Sequence, residues 1–344
     1  MPLSKRVTSL DVAKKAGVSR TTVSFVLNKV PGVSISAVTR NRVLKVARDL
    51  NYHPNEAGLR LASGKSRTVG LILYQSPEQV FADALLPQVI LGVEQAAIQH
   101  GFHVLLKAVE PKDPTGYARL IGENHVDGIL LSGPRRDDRE IIRLHREGVP
   151  IMLMGQLPNT DIPFADIDAT AGAALAVNHL IECGHRRIAL ITNAPLSYTS
   201  ARQRRAGYLK ALKHAKLPAE RTLVKEGAYT PSSGFEAMTA LLALSARQRP
   251  SAVFVASDVV AVGAMLAIKS AGLRIPQDIA LVGFDDIPLA EYFDPPLTTI
   301  RLPAYGLGWA AAERLIRLIR GEGLDQHDLL MNSEIIVRTS TQKS

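Results

Sequence analysis

The chain has 344 residues and exceeds the roughly 250 to 300 residues at which one hydrophobic core stops growing, so two or three domains are expected. Hydrophobic residues make up 46% of it, which excludes a disordered protein. It has neither an apolar run of the roughly 20 residues that a membrane span needs nor an apolar signal-peptide core, so we expect a cytoplasmic protein without a membrane partner.

Positive charge is concentrated in the first fifth of the chain. Residues 1–67 contain thirteen Lys and Arg against three Asp and Glu, a net charge of +10, whereas the remaining residues contain 28 against 29 and sum to −1. Such a concentration is typical of a surface that neutralises phosphates, and a solvated charged face is the alternative interpretation.

Two short helices are predicted near the start of the chain. Thr8 and Asp11 have the spacing of a capping box, and Gly17 suits a left-handed helix exit. Ser19 is a natural N-cap for the second helix. The predicted inward residues are Leu10, Ala13 and Ala16 in the first helix and Val23, Val26 and Leu27 in the second. Two short helices joined by a tight Gly-containing turn are typical of a helix-turn-helix motif.

The opposite face of the second helix has side chains suited to reading DNA. Arg20 can bond guanine through two hydrogen bonds, and Thr21 can contact several base edges. Phe25 either contacts thymine methyl groups or packs against the third helix. Three further residues are predicted to contact phosphates, namely Ser19, Thr22 and Asn28.

A third helix is predicted to begin after Ser36 and to end before Pro54. Its apolar positions are Val43, Val46, Ala47 and Leu50. The short helical pattern that follows breaks at residues 63–66, as expected of a hinge between the basic module and the larger body.

The body alternates short apolar runs with helical patterns. Strands are predicted at TVGLILY, HVLLKAV, VDGILLSG, VPIMLMG, RIALITN, AVFVAS and IALVGFDD. Near-continuous apolar strands separated by helices predict parallel sheets that are covered on both faces. Open sheets of this kind bind ligands at the carboxyl ends of their strands.

An enzyme is disfavoured because the sequence has no GxGxxG after a first strand, no GxSxG and no HExxH. The nine His residues are scattered, so neither catalytic residues, a metal site nor a cofactor is predicted. Cys183, the single cysteine, is predicted to be a small buried residue near a helix end.

Several ordered motifs resemble the lactose-repressor (LacI/GalR) family of bacterial transcription regulators. They are LDVAKKAGVSRTTVSFVLN, TRNRV, LNYHPN, LRLA, GHRRIALI, ASDVVAVGAM, IPQDIALVGFDD and PPLTTIR, and together they span almost the whole chain. The resemblance implies an all-α helix-turn-helix headpiece over residues 1–54 and a hinge helix and linker over 55–67. It also implies a two-lobed α/β core like periplasmic binding proteins, with parallel sheets, over 68–344.

The resemblance also implies DNA contacts outside the second helix. Leu61 matches the hinge leucine that the family pushes between base pairs in the minor groove, and Thr39 lies in the TRNRV segment. Phe25 occupies a position that is more often polar, which leaves the half-site sequence open. Gly58 stands where the hinge helix usually has Ala, and Gly costs a helix interior about 1 kcal/mol. We therefore expect the hinge to fold only on DNA.

The predicted effector-binding residues are Tyr74, Phe81, Arg204, Tyr229, Ser257 and Asp285. Asp285 and Arg204 match ligand-contacting positions of the family, and Tyr229 either stacks on a sugar or packs within the lobe. Ser257 stands where many relatives have Asn. Gly155-Gln156 replaces an acidic position of some sugar-responsive relatives.

The sequence therefore predicts a sequence-specific DNA-binding transcriptional repressor, and not an enzyme, that is controlled by a sugar or glycoside. A purine or nucleoside is the alternative effector. A transport-type sugar-binding protein is a further alternative, but it would need a secretory signal and no basic headpiece. The chain lacks the heptad tail that some relatives use to tetramerise, so a homodimer on a near-palindromic operator is expected.

Overall fold

The computed structural model describes residues 7–28, 32–52, 65–110, 116 and 118–342, without the side chains of residues 81 and 82. The chain divides into two compact units, residues 1–66 and 67–344. Leu61 and Gly58 lie outside the described residues. The predicted headpiece boundary at residue 54 also lies outside them, so the division into headpiece and hinge stays a prediction.

The first unit contains three helices, α1 (Ser9–Ala16), α2 (Arg20–Leu27) and α3 (Ala37–Asp49). The Thr8–Asp11 capping box is present, and Gly17 ends α1 with φ +62°. Side-chain oxygens of Ser19 and Ser36 cap α2 and α3. These local signals are confirmed. The amino-end caps satisfy amide groups that a helix start leaves without a partner, and the amide of Gly17 donates to carbonyl groups at the end of α1.

A small apolar cluster holds the three helices together. It consists of Val12, Ala13, Ala16, Val23, Val26, Val43, Val46 and Ala47. The prediction for Leu10 is wrong, since half of its surface is exposed. At 3.6 residues per turn, Leu10 lies about a third of a turn from the centre of the stripe formed by Val12, Ala13 and Ala16.

The second unit contains two lobes, each built on a parallel sheet. The sheet of lobe 1 has the order β11-β5-β4-β3-β1-β2, and the sheet of lobe 2 has the order β7-β6-β8-β9. The strands of lobe 1 are β1 (Thr68–Leu73), β2 (His103–Ala108), β3 (Gly128–Ser132), β4 (Ile151–Met154), β5 (Phe164–Ile167) and β11 (Leu329–Met331). Those of lobe 2 are β6 (Ile188–Ile191), β7 (Val224–Lys225), β8 (Ala252–Val255) and β9 (Ala280–Val282).

Nine helices are described in this unit. They are α4 (Pro77–Ala82), α5 (Leu86–His100), α6 (Ala118–Gly122), α7 (Arg139–Arg146), α8 (Ala169–Glu182), α9 (Thr199–His214), α10 (Pro231–Leu242), α11 (Asp258–Ser270) and α12 (Ala304–Ile319). The pair α5 and α12 packs together on lobe 1, and α8 packs on α9.

The chain passes between the lobes three times. It leaves lobe 1 after β5 and returns after β10 (Thr299–Arg301), so that α12 packs against β3, β4 and β5. After β11 it leaves again as β12 (Glu334–Ile336), which pairs antiparallel with β10. Three connections at one side leave the lobes open to each other at the carboxyl ends of their strands.

All seven predicted strands are present, and the predicted two-lobed fold with parallel sheets is confirmed. The prediction for Cys183 is wrong in one respect. The residue caps the end of α8 but is exposed, because it lies just past the last buried turn.

Candidate functional site

A cavity of about 150 Å³ lies where the carboxyl ends of the two sheets face each other. Lobe 1 contributes Gln75, Asp83, Ser132, Gly155 and Asp166 among its lining residues. Lobe 2 contributes Asn193, Ser200, Arg204, Tyr229, Ser257 and Asp285. Six of the polar residues among them lie in the last two residues of a strand or within three residues after it, as expected of a ligand site in an open α/β sheet; they are Gln75, Ser132, Asp166, Asn193, Ser257 and Asp285.

Arg204 and Asp285 form a buried ion pair on the wall of this cavity. Arg204 Nη2 lies 3.2 Å from Asp285 Oδ1, and both side chains are about nine-tenths buried. The guanidinium also donates to the carbonyl of Ala256 and lies 3.9 Å above the centre of the Phe284 ring. These contacts fix the fork of donors in one orientation, which pre-organises it for a ligand.

The Asp285 carboxylate is held from a second side by Ser257, whose hydroxyl donates to Oδ2 at 3.0 Å. Burial raises the pKa of Asp285 to about 6, although Arg204 acts in the opposite direction. The residue has φ +124°, a conformation that non-glycine residues rarely adopt. The structure thus brings together three predicted effector residues, Arg204, Ser257 and Asp285.

Two buried polar atoms near the cavity have no hydrogen-bond partner among the described residues. They are Asn193 Oδ1 and Arg204 Nε. The amide nitrogen of Asn193 donates to Ser200 Oγ at 3.2 Å and to the Tyr229 hydroxyl at 3.3 Å, so its carbonyl oxygen is left as an acceptor. A buried acceptor of this kind costs stability unless a ligand or water donates to it.

Tyr229 lies on the cavity wall with φ +58°. Its ring packs edge-on against Tyr198, with 5.5 Å between the ring centres. Burial raises the pKa of its hydroxyl to about 12, so the group stays protonated and can donate. The position is compatible with both predicted roles, because the ring lines the cavity and also packs within the protein.

Tyr74 does not belong to the described lining of the cavity, contrary to the prediction. Its backbone continues the pairing of β1, so side chains alternate between the faces of the sheet. Leu73 and Gln75 face the cavity, whereas Tyr74 is buried in the apolar cluster on the other face. The side chain of Phe81 lies outside the described part of the structure.

Sequence reasoning missed two carboxyl groups that lobe 1 supplies. Burial raises the pKa of Asp166 to about 6, even though its oxygens accept from the Ile167 amide at 2.8 Å and from Gln156 Nε2 at 3.0 Å. Burial also raises the pKa of Asp83, whose Oδ1 accepts from the amides of Leu85 and Leu86. One signal was available in the sequence: Gly155-Gln156 stands in place of an acidic position of some relatives, and Gln156 orients the buried carboxyl of Asp166.

The two acidic neighbours of the site are structural. Asp258 is fully buried and accepts from the Thr299 hydroxyl at 2.7 Å and the Ile287 amide at 3.0 Å. Its side chain neither caps α11 nor belongs to the described lining of the cavity. Asp286 pairs with Arg301 and Arg338 at 2.7 and 2.8 Å.

A second set of contacts joins the lobes beside the cavity. Arg135, in the loop after β3, forms an antiparallel bridge with Tyr198 of lobe 2. Its guanidinium lies 5.7 Å from the Tyr74 ring centre and 5.6 Å from that of Tyr198. The Tyr198 hydroxyl donates to the carbonyl of Tyr74 at 3.0 Å. We call Tyr74, Arg135 and Tyr198 the inter-lobe clasp.

In the first unit, the predicted base-reading residues share one face of α2. Arg20 and Thr21 are exposed, and Arg20 Nε donates to Ser9 Oγ at 2.9 Å. Phe25 is half-buried and, among the described residues, lies outside the apolar cluster of the three helices, which disfavours the packing interpretation.

The predicted phosphate-contacting residues, and the predicted DNA-contacting residue Thr39, lie at the ends of the helices. Ser19 caps α2 and lies 2.9 Å from the Thr22 hydroxyl, and Asn28 ends the same helix. Thr39 lies in the first turn of α3, where its hydroxyl accepts from Ser36. Apart from Asn28, these residues lie at helix amino ends, which suit contact with phosphate oxygens. All of these DNA contacts stay predictions.

Among the described residues, no helix is long and apolar enough to cross a membrane. In the same part of the chain, no group of three or more His, Cys, Asp or Glu side chains is arranged to hold a metal ion.

Both units resemble known proteins. Residues 8–55 match the family model described as bacterial regulatory proteins, lacI family, and residues 177–341 match the periplasmic binding protein-like domain. The HTH-type transcriptional repressor PurR of Haemophilus influenzae is 34% identical over 96% of this chain and 98% of its own. The HTH-type transcriptional regulator CelR of Thermobifida fusca is 35% identical over 99% of this chain and 100% of its own.

Solved structures give the same result. A lac repressor dimer bound to operator and the anti-inducer ONPF is 32% identical, with a TM-score of 0.85 over 98% of this chain and 100% of its own. A complex of the transcriptional regulator CelR with cellobiose is 33% identical, with a TM-score of 0.74 over 97% of this chain and 100% of its own.

Proposed function

This chain belongs to the lacI family of bacterial regulatory proteins, and from that premise we propose that it represses transcription from a near-palindromic operator under the control of a sugar or glycoside. The observation that carries the ligand part is the Arg204–Asp285 pair at the carboxyl ends of the sheet. A buried carboxylate accepts from vicinal hydroxyls, and the fixed guanidinium donates to ring or hydroxyl oxygens.

DNA recognition is assigned to the exposed face of α2. Arg20 and Thr21 point away from the helical cluster, in the first turn of the second helix of a helix-turn-helix. The first turn of that helix is the part that meets base edges in the major groove. Leu61 is proposed as the minor-groove wedge on the strength of the family resemblance alone.

A sugar fits this cavity better than a purine does. Among the described lining residues, Tyr229 is the single aromatic side chain, whereas a flat base is usually enclosed by stacking partners. Acceptors are plentiful, including three carboxyl groups and the carbonyl oxygen of Asn193. The relative CelR was solved with cellobiose, which is compatible with this choice. A purine or nucleoside stays the alternative effector.

The proposed assembly is a homodimer in the cytoplasm. Leu91 and Ile98 lie seven residues apart on α5, and Leu106 lies on the adjacent strand β2; all three are about half exposed. Two turns of helix place residues seven apart on one face, so a second copy can cover this apolar surface. The lac repressor relative was solved as a dimer on operator DNA.

Ligand control follows if the two lobes close further around the ligand. A ligand that binds one arrangement of the lobes more tightly shifts the population toward it, and its effect on operator affinity equals the effect of operator on ligand affinity. Reduced DNA affinity is the proposed direction.

The test is fluorescence-anisotropy binding to the DNA upstream of the protein's own gene, at fixed salt, across a panel of sugars, glycosides, purines and nucleosides. We expect this DNA to bind at least about a thousandfold more tightly than random DNA does. We also expect one sugar or glycoside to change that affinity. If only a purine or nucleoside shifts operator binding, that class of compound replaces the sugar or glycoside as the proposed effector. Equal affinity for all DNA, including sites enriched from a random pool, would refute the operator-binding proposal.

A further inference from the structure

The described lining of the cavity contains more acidic than basic side chains. It contains three carboxyl groups, Asp83, Asp166 and Asp285, and a single basic group, Arg204. Asp166 and Asp285 are each less than a tenth exposed. Beside the cavity, burial raises the pKa of Asp258, and the nearby Asp285 carboxyl raises it further.

The single guanidinium is already committed to one of these carboxyl groups. Arg204 contacts Asp285 at 3.2 Å. Asp166 is instead held by neutral donors, the Ile167 amide and the Gln156 side chain, and Asp83 is held by the amides of Leu85 and Leu86. Lobe 1 therefore presents negative charge to the ligand, and the described lining residues of this lobe include no basic side chain.

An anionic ligand would meet this charge at close range. In a poorly solvated cavity, like charges repel far more strongly than in water, and a phosphate or carboxylate would also lose its own hydration. Among the described lining residues, Arg204 is the single charged donor for such a group, and taking it would leave Asp285 buried without its partner. Anion sites in proteins instead use several Arg, Lys or backbone donors.

The unpartnered acceptor at Asn193 Oδ1 points to what the ligand must bring. Together with the carboxylate oxygens, it calls for hydrogen-bond donors rather than acceptors. Hydroxyl groups supply them without charge, and an amine supplies them with a charge that the cavity would favour.

We propose that Asp83 and Asp166 act as a charge filter, so that the cavity accepts uncharged or amine-bearing polyhydroxylated ligands and rejects phosphorylated or carboxylated ones. This inference rests on the proposed control by a sugar and narrows it. The regulator then responds to a sugar before phosphoryl transfer or oxidation to a uronic acid has acted on it. A phosphorylated product of the sugar is not an effector.

The test uses isothermal titration calorimetry with the full chain at pH 7.5. Each series contains a neutral hexose or hexose disaccharide, its 6-phosphate and its uronic acid. We expect a neutral parent to bind and its two anionic analogues to bind at least tenfold more weakly.

Variants separate charge from size. Asp83→Asn and Asp166→Asn, alone and combined, keep an acceptor oxygen and remove the charge. In the combined variant, the ratio of affinities between the neutral parent and its anionic analogues should fall at least threefold. Asp161→Asn is the matched control, because that side chain is 90% exposed in the same lobe, and it should leave the difference unchanged.

The outcomes are distinct. An anionic analogue that binds as tightly as its parent, or tighter, overturns the charge filter and leaves sugar control intact. A tenfold difference that persists in the combined variant shows that size rather than charge excludes the anions, which also overturns it. If no sugar of any charge binds, the proposed sugar control fails, and the charge filter fails with it.

Discussion

Asp166→Asn should stabilise the ligand-free protein, although it changes a residue of the site. Burial raises the pKa of Asp166 to about 6 from an ordinary value of 3.8. An acid whose pKa is raised on folding destabilises the folded state increasingly as the pH rises from its unfolded pKa to its folded pKa, since the unfolded state holds the charge more easily. A difference of about two pKa units corresponds to about 3 kcal/mol at pH 7.5, and about half of that remains at pH 5.

Asparagine keeps the acceptor for the Ile167 amide, and Gln156 can rotate to offer its carbonyl oxygen to the new amide. The free energy of unfolding should therefore rise by up to about 3 kcal/mol at pH 7.5, with a smaller gain at pH 5. The assay is urea denaturation of the wild type and the variant at both pH values, with Asp161→Asn as the exposed control. Equal stability at pH 7.5, or a gain of the same size at both pH values, would refute a buried charge at Asp166.

Three further predictions concern function. Arg20→Ala should relax the sequence preference, seen as a smaller ratio of operator to random-DNA affinity, whereas an equal loss on all DNA would make Arg20 a phosphate contact. Asp285→Asn should abolish the ligand response and leave ligand-free operator binding unchanged in the anisotropy assay; a normal dose response would contradict the role of Asp285. Arg135→Ala should weaken ligand affinity about three- to tenfold by calorimetry, because the inter-lobe clasp joins the two lobes and the proposed ligand control requires them to close. Unchanged affinity would show that the clasp does not influence closure.

Much of the fold could be predicted because its signals are local. Thr8 with Asp11, and Ser19 with the apolar stripe that follows, fix two helix starts within a few residues. Fully buried strands such as β1 and β8 are recognisable because burial on both faces removes polar residues. The strands β5, β7, β10, β11 and β12 were missed, since polar residues interrupt or flank their short apolar runs.

The candidate site could be predicted only in lobe 2. Asp285 and Arg204 lie in motifs whose family resemblance gives their roles, and the structure places them 3.2 Å apart. Asp83 and Asp166 lie in segments without a motif, and 83 residues separate them along the chain. Only the order of the strands, with β5 beside β4 and α4 after β1, brings both to one cavity.

The cost of the buried carboxyl groups links stability to function. A protein retains a charged group that destabilises it when that group serves another purpose, and a ligand that donates to Asp166 and Asp285 would relieve part of the cost on binding. The same substitution, Asp166→Asn, should therefore raise the stability of the ligand-free protein and reduce the discrimination between neutral and anionic ligands. If Asp166 served only packing, its substitution would destabilise the protein and leave that discrimination unchanged. The two measurements on one variant therefore decide between the roles.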